Sequence, residues 1–307
     1  MGRVLERSWD KMKSTPHRAA WFFFFMVLPV ISIVSFLVVY PTIKGVVMSF
    51  QNYTVFTFWR VRFVGLKNYI EIFTDPDFLH VLFNTLIWIA GSVTFQLILG
   101  FILALLLWSP FKGRGIYAGF VFYPWALSGF AIGLVWSWLL NGTFGIVNDV
   151  LKKLHLISEN IHFLSDPNYA MFSVILINIW YGIPFFAIMI LAALQSIPKE
   201  VMESAMIDGA GPLKRLFSIV IPYIKPTLLS SVLLRIIWVM NFPDIIYGTT
   251  RGGPAGSTNI LPVYMINIVF YETNFSKASA VGVIIITILL VYTLFYLKLT
   301  SYGEMEF

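Results

Sequence analysis

The chain has 307 residues, of which 58% are hydrophobic and only 12% are charged, and it contains no cysteine. Soluble domains carry about 25% charged residues, so too few charged side chains are present to cover a soluble enzyme of this size. Disorder is excluded because disordered chains lack apolar residues, and the absence of cysteine excludes disulfides and thiolate-bound metals. The net charge of +6 is spread between apolar runs, which argues against a nucleic-acid partner. The composition therefore predicts a protein that lies in a lipid bilayer.

Six mostly apolar stretches are long enough to cross a bilayer as helices, which takes about 20 residues each. The first carries no charge, is too long for the apolar region of a signal peptide, and is followed by no small-residue cleavage site. A shorter apolar run at 260–270 predicts a helix that lies at the interface or is re-entrant. The six predicted spans are residues 19–40, 81–108, 116–140, 169–194, 227–247 and 278–297.

Basic residues orient these spans. Twelve Lys and Arg lie on the side that would hold both termini, and eight lie in the longer loops of the other side. Because cytoplasmic loops are enriched in Lys and Arg, we expect both termini in the cytoplasm. The predicted fold is an all-α integral membrane protein, with a cytoplasmic segment at 1–18, a six-span domain at 19–300 and a cytoplasmic tail at 301–307, since helices satisfy their backbone groups in lipid.

The inside loop at 195–226 carries the signals of two short helices separated by glycine. Pro198 suits the first turn of a helix, and Gly209 can take the left-handed conformation that ends one. Pro212 then opens a second helix, which we expect to stop before Pro222. This helix-Gly-helix pattern indicates a docking element on the cytoplasmic face, and the alternative is an ordinary polar loop between two spans.

The same loop resembles the EAA loop of ABC importer permeases, whose pattern is E-A-A, three residues, G, nine residues, I-x-L-P. Here the loop has Glu203-Ser204-Ala205, then Gly209, then Ile219-Val220-Ile221-Pro222 at the same spacing. Ser204 replaces the first Ala of E-A-A, and Ile221 replaces the Leu. In that family the loop forms a helix that docks on a cytoplasmic ATPase. The resemblance therefore implies ATPase coupling by Glu203, Ser204, Ala205, Asp208 and Gly209.

Other motifs resemble the carbohydrate branch of that family, the maltose and glycerol-phosphate type permeases. Asp208-Gly209-Ala210-Gly211-Pro212 is similar to its I-D-G-A-x loop, and Thr250-Arg251-Gly252-Gly253-Pro254 is similar to its T-x-G-G-P element. The second motif is expected in an outside turn that either touches a binding protein or is a plain turn. The likeness runs from about residue 28 to the end of the chain.

The resemblance implies the partners and the location. A sugar or oligosaccharide would be delivered by an extracytoplasmic binding protein to a pathway that this chain forms with a second homologous permease, in the inner membrane of a bacterial or archaeal cell. The chain has no G-x-x-x-x-G-K-[ST] phosphate loop. No cofactor is therefore expected in it, and a partner ATPase dimer would bind ATP and Mg.

Polar groups in the fifth predicted span mark candidate substrate contacts, because such groups are costly in a membrane. Asn241 and Asp244 are three residues apart, so a continuous helix would place them on one face with Trp238. An aromatic ring beside amide and carboxylate groups suits a sugar. In the alternative, Asp244 lies at the outer interface and Arg235 pairs with another helix.

The fourth predicted span adds polar and aromatic residues just before Pro184, which is expected to kink the helix. Broken helices at mid-membrane often line transport sites, although Trp and Tyr also pack between helices or form interfacial belts. Trp125, Trp136 and Gln96 are further candidates. The predicted pathway residues are Asn241, Asp244, Tyr181, Trp180, Asn178 and Trp238.

Two other functions are alternatives to an importer permease. An integral-membrane enzyme, such as a lipid-linked glycosyltransferase, would need an acidic pair or a metal cluster on one face, and the four histidines have no metal-ligand spacing. A stand-alone secondary transporter would need an inverted repeat and buried carboxylates in several spans. Neither pattern is evident, so the permease is the main interpretation and these two remain alternatives.

Overall fold

The computed structural model describes residues 16–300, so the tail at 301–307 and all but the end of the segment at 1–18 lie outside the described residues. The described chain is almost entirely helical. Its α-helices are α1 (Pro16–Met48), α2 (Lys67–Thr74), α3 (Pro76–Trp108), α4 (Arg114–Phe122), α5 (Gly129–Leu139), α6 (Ile146–Lys153), α7 (Pro167–Gln195), α8 (Lys199–Ile207), α9 (Pro212–Met240), α10 (Asp244–Thr249), α11 (Leu261–Asn267) and α12 (Phe275–Leu299). Two of them contain a π-helical turn, α1 at Ser35–Val39 and α9 at Leu216–Val220. A third π-helical turn, Ile268–Glu272, follows α11.

Five helical segments of the described chain are long and apolar enough to cross a membrane, and a sixth exists if two bent helices are counted as one span. The five are Phe23–Met48, Pro76–Trp108, Pro167–Gln195, Pro212–Thr249 and Phe275–Leu299. The all-helical membrane class predicted from composition is therefore confirmed. Whether there are five or six spans depends on the third predicted span, at residues 116–140.

The predicted third span is not one straight helix. The segment Arg114–Ala126 and α5 meet at 99°. Pro124 lies in a 3-10 turn, and the Ser128 hydroxyl accepts a hydrogen bond from the Ala131 N–H (3.2 Å) as the N-cap of α5. Pro124 has no backbone N–H to donate within a helix. The Ser128 side chain caps the start of a new helix, so the two residues together favour a break at this point.

The predicted fifth span also differs from the structure. The helix that opens at Pro212 does not stop before Pro222 but continues to Met240, because the π-helical turn before Ile221 accommodates the proline in the next turn. The chain then breaks, and Pro243 precedes a new helix at Asp244. Asn241 and Asp244 therefore do not share a helix face.

The core lies between α3, α7 and α9. The Trp88 indole N–H of α3 donates to the Val239 carbonyl of α9 (3.0 Å), and Phe186 and Ile190 of α7 are fully buried against them. By contrast, the described side chains of α1 are exposed over the whole stretch between Phe23 and Tyr40. Only the last part of α1 packs closely on the bundle, against α12.

The short apolar run at 260–270 forms α11, which packs inside the bundle. Leu261 and Tyr264 are buried, and the Leu261 N–H donates to the Thr85 hydroxyl of α3 (3.0 Å). The Tyr264 hydroxyl donates to Asp75 Oδ2 at the start of α3 (2.7 Å), and Lys277 of α12 lies 3.8 Å from the same oxygen. These contacts join three helices at one end of the molecule. Burial, followed by the hydrogen bond to Asp75, raises the pKa of Tyr264.

Candidate functional site

A cavity of about 280 Å³ lies where α7, α9 and the turn after α4 meet. Two helix breaks lie beside it, the turn at Pro124 and the end of α9, whereas Pro184 lies within the continuous helix α7. Helix breaks free backbone groups and make room for side chains in a membrane domain. Its lining residues are Trp125, Tyr181, Arg235, Trp238, Val239, Asn241 and Phe242.

Tyr181 forms one wall of this cavity. Its side chain is 8% exposed, and its hydroxyl donates to the Leu127 carbonyl at the α4–α5 bend (3.0 Å). Its ring stacks on Phe242, with centroids 5.7 Å apart and planes 7° from parallel. Pro184 lies one helical turn further along α7. The contacts of Tyr181 therefore tie the α4–α5 bend to the α9–α10 break.

Trp238 and Asn241 form the wall contributed by α9. Trp238 is 47% exposed and packs against the Phe185 ring at a centroid distance of 5.3 Å. Asn241 caps the C-terminus of α9, and its Nδ2 donates to the Ile237 carbonyl (3.0 Å). The side-chain oxygen of Asn241 makes no hydrogen bond to any residue within 16–300. An exposed indole face and a free amide oxygen can contact the ring and the hydroxyls of a sugar.

Arg235 reaches the cavity from inside the bundle. It is 4% exposed, its Nε donates to Gln96 Oε1 of α3 (2.7 Å), and its guanidinium lies 5.5 Å from the centroid of the Phe185 ring. Gln96 Nε2 in turn donates to the Asn178 carbonyl of α7 (2.7 Å). Buried hydrogen bonds thus connect α9, α3 and α7.

Gly182 of α7 makes room for the Arg235 and Gln96 side chains, which meet over its backbone. A Cβ at position 182 would collide with the Arg235 guanidinium and with the Gln96 side-chain amide. Only a residue without a side chain allows both groups to pass over the backbone of α7. The glycine therefore has a packing role in the contact between α7, α3 and α9.

The six predicted pathway residues separate into three groups in the structure. Tyr181, Trp238 and Asn241 line the cavity. Asp244 is half-buried at the start of α10 and does not line it, because the helix break turns it away from Asn241. Trp180 and Asn178 also lie elsewhere.

Trp180 faces away from the cavity. It packs edge-on against Trp136 of α5, with ring centroids 5.7 Å apart. Asn178 is fully buried, and neither polar atom of its side chain has a hydrogen-bond partner among the described residues. Two lining residues, Val239 and Phe242, were not predicted, because nothing in the sequence distinguishes them from the other apolar residues around them.

The loop between α7 and α9 forms a second candidate site. It consists of α8, a turn in which Gly209 has a φ of +75°, and the start of α9 at Pro212. Glu203, Ser204 and Asp208 are exposed. Ala205 is only 8% exposed, so a docked partner would have little direct access to it.

Apolar side chains are exposed beside these polar residues. Ile207 is 87% exposed at the end of α8, and Leu213 is 72% exposed at the start of α9. Both lie within a few residues of Gly209. Exposed apolar residues next to a charged rim are typical of protein–protein contact sites.

The Arg251-Gly252-Gly253-Pro254 turn packs on the bundle through its backbone. Asn267 Nδ2 of α11 donates to the Arg251 carbonyl (3.3 Å), and Asn84 Nδ2 of α3 donates to the Gly256 carbonyl (3.0 Å). The Thr258 side chain behind the turn is fully buried. The turn is therefore a fixed part of the fold, with Arg251 itself exposed.

Comparison with known proteins gives a family match over most of the chain. Residues 96–300 match the family described as "Binding-protein-dependent transport system inner membrane component". The sulfoquinovosyl glycerol transport system permease protein SmoG of Agrobacterium fabrum is 33% identical over 274 residues, which cover 89% of this chain and 88% of SmoG. The trehalose/maltose transport system permease protein MalF of Thermococcus litoralis is 31% identical, covering 92% of this chain and 94% of MalF.

A solved structure has the same fold. A chain of a bacterial ABC transporter involved in the import of the acidic polysaccharide alginate aligns with a TM-score of 0.81 at 23% identity, covering 98% of this chain and 100% of that one. At this identity the likeness concerns the fold. It extends over nearly the whole described structure, including both candidate sites.

Proposed function

Because this chain belongs to the family of binding-protein-dependent transport system inner membrane components, we propose that it is the permease subunit of an ATP-driven carbohydrate importer. It is a multi-pass membrane protein and a transport subunit rather than an enzyme. With a second homologous permease it forms the pathway for a sugar or oligosaccharide that a binding protein delivers from outside. The permeases SmoG and MalF, both named for carbohydrate transport, support this substrate class.

The cavity at the end of α9 is the observation that carries the proposal. Its walls combine flat aromatic surfaces, Trp125 and Trp238, with the polar groups of Tyr181 and Asn241. Aromatic faces stack on the apolar faces of sugar rings, while amide and hydroxyl groups bond to sugar hydroxyls. We assign substrate contact to Trp238, Asn241 and Tyr181.

The α8 loop is assigned to ATPase docking. Its exposed residues include Glu203, Ser204, Asp208 and Gly209, and Ala205 is the buried residue of α8. In this proposal the loop and both termini are cytoplasmic, and a dimer of ATPase subunits binds ATP and Mg. The neighbouring apolar residues Ile207 and Leu213 supply the contact area.

Reconstitution tests the function. The chain is co-expressed with its second permease, the ATPase and the binding protein, and the purified complex is placed in liposomes. We expect uptake of labelled oligosaccharides that requires both ATP and the binding protein. Uptake by this chain alone, driven by an ion gradient, would support a secondary transporter, and transfer of sugar to lipid would support a glycosyltransferase.

A further inference from the structure

The cavity wall contains a buried arginine that pairs with no acidic side chain of the described residues. Arg235 is 4% exposed, and no carboxylate within residues 16–300 lies within 4.0 Å of it. The acidic residue of the next helix, Asp244, is also beyond that distance. An unpaired charge is costly to bury, and charged side chains inside membrane domains are normally paired or face an aqueous cavity.

The contacts of Arg235 hold its side chain in place but leave part of it free. Its Nε donates to Gln96 Oε1 (2.7 Å), and the guanidinium lies over the Phe185 ring. The terminal amino groups, Nη1 and Nη2, make no hydrogen bond to any residue of the described chain. The guanidinium presents its N–H donors in a fixed fork that matches a carboxylate or another oxyanion.

Gln96 positions the guanidinium without neutralising it. Its Nε2 donates to the backbone carbonyl of Asn178 (2.7 Å), so its Oε1 is the atom available to the arginine. Gly182 leaves space for both side chains. The neutral Gln96 amide supplies one acceptor and no negative charge, so the positive charge remains directed at the cavity.

We propose that the cavity takes a carbohydrate bearing an anionic group, such as a uronate carboxylate or a sulfonate, and that Arg235 pairs with that group. This inference rests on the proposed function and specifies its substrate class. Trp125 and Trp238 hold the sugar rings, while the guanidinium contributes selectivity for the acid. A neutral sugar would leave the arginine charge unpaired in the occupied cavity.

Direct binding to the permease tests the inference, because uptake also depends on what the binding protein accepts. The purified complex in nanodiscs is titrated with trigalacturonate and with galactotriose, which differ in having a carboxylate or a hydroxymethyl group at C6. Tryptophan fluorescence reports binding, since Trp125 and Trp238 line the cavity. We expect the acidic trisaccharide to bind at least about tenfold more tightly, as charge-assisted hydrogen bonds predict.

Two variants and a control assign that difference to one side chain. In R235Q the difference between the two trisaccharides should vanish, whereas R235K should retain part of it. R60Q, which changes an exposed arginine in an outer turn, should bind like the wild type. Equal binding of the two sugars by the wild type, no binding of either, or a preference that persists in R235Q would overturn the inference.

If R235Q does not assemble, the wild-type titration can still overturn the inference, and R235K, which keeps the charge, still tests the role of the side chain. Failure of the inference is also distinct from failure of the proposed function. ATP-dependent uptake of a sugar, together with equal binding of the two trisaccharides to the complex, would contradict only the assignment to Arg235. The absence of ATP-dependent uptake for every sugar tested would contradict the proposed function itself.

Discussion

Tyr181 of α7 and Phe242, in the break after α9, stack almost parallel with their ring centroids 5.7 Å apart. The pair joins α7 to the break after α9 at the wall of the cavity. Because the Tyr181 hydroxyl also donates to the Leu127 carbonyl (3.0 Å), this one residue contacts both the α4–α5 bend and the break after α9. We therefore expect a change of conformation at either break to alter the shape of the cavity.

Two tryptophans of similar exposure offer a matched test of the cavity. Trp238 is 47% exposed and lines it, whereas Trp180 is 41% exposed and packs on Trp136. We expect Trp238→Ala to raise the KM for sugar uptake about tenfold, equal to about 1.4 kcal/mol of lost stacking. Trp180→Ala should leave the KM near the wild-type value, and equal effects of the two changes would contradict the assignment of the cavity.

Gly209 provides a test of the coupling loop. Its φ of +75° strains any residue with a Cβ, by about 1–3 kcal/mol. We therefore expect Gly209→Val to lower uptake and sugar-stimulated ATP hydrolysis together, with the complex still in the membrane. Gly211→Val is the control, since neither glycine has an atom within 4 Å of an added Cβ and Gly211 has an ordinary φ of −65°. Normal coupling in Gly209→Val would refute the proposed role.

The crossing of Arg235 over α7 predicts a stability effect. Gly182→Ala should force the guanidinium and the Gln96 amide apart and destabilise the chain by about 1–3 kcal/mol, as overpacking of a core does. Gly119→Ala of α4, where an added Cβ meets nothing within 4 Å, should not destabilise it. Thermal unfolding of the purified protein measures both, and an unchanged midpoint for Gly182→Ala would show that the crossing adapts without cost.

Orientation can be tested cleanly because the chain has no native cysteine. We expect a cysteine at Ser204, in α8, to react with impermeant maleimide only when the reagent reaches the cytoplasmic face. A cysteine at Lys67, exposed at the start of α2, should react from outside intact cells. The reverse pattern would invert the proposed topology.

The hydrogen bond between Tyr264 and Asp75 predicts a pH effect. Because the pKa of Tyr264 is raised in the folded chain, its neutral form stabilises the fold fully below about pH 10, the ordinary tyrosine value. That contribution is lost as the pH rises above that value. Tyr264→Phe should cost about 1–2 kcal/mol at neutral pH and weaken the alkaline loss, as measured by unfolding at several pH values. A wild-type stability that is constant from pH 8 to about 11 would contradict this sign.

The membrane helices could largely be predicted from the sequence, because a long apolar stretch indicates a helix that lies in lipid or in the protein interior. The predicted spans at 169–194 and 278–297 end within three residues of α7 and α12. The breaks at Ser128 and Asn241 could not be predicted in this way, since the chain is apolar on both sides of each. Proline alone does not indicate them, because Pro184 lies within a helix that continues.

The cavity was harder to predict, because the sequence does not show which side of each helix faces it. Trp180 and Tyr181 are neighbours in sequence, yet successive residues of a helix point about 100° apart, so only Tyr181 reaches the cavity. The pairing of Asn241 with Asp244 assumed a continuous helix that Pro243 interrupts. Gln96 and Arg235 were noticed as polar groups in apolar runs, but their contact spans 139 residues of sequence and only the fold brings them together.

The unbroken course of α9 has a mechanical consequence. Its 29 residues, from Pro212 to Met240, form a rod about 44 Å long, which exceeds the hydrocarbon thickness of about 30 Å. One end follows the α8 loop and the other ends at Asn241 in the cavity wall. Because one continuous helix connects the two, we expect a displacement of the α8 loop to reach the cavity wall, less any bend at the π-helical turn Leu216–Val220.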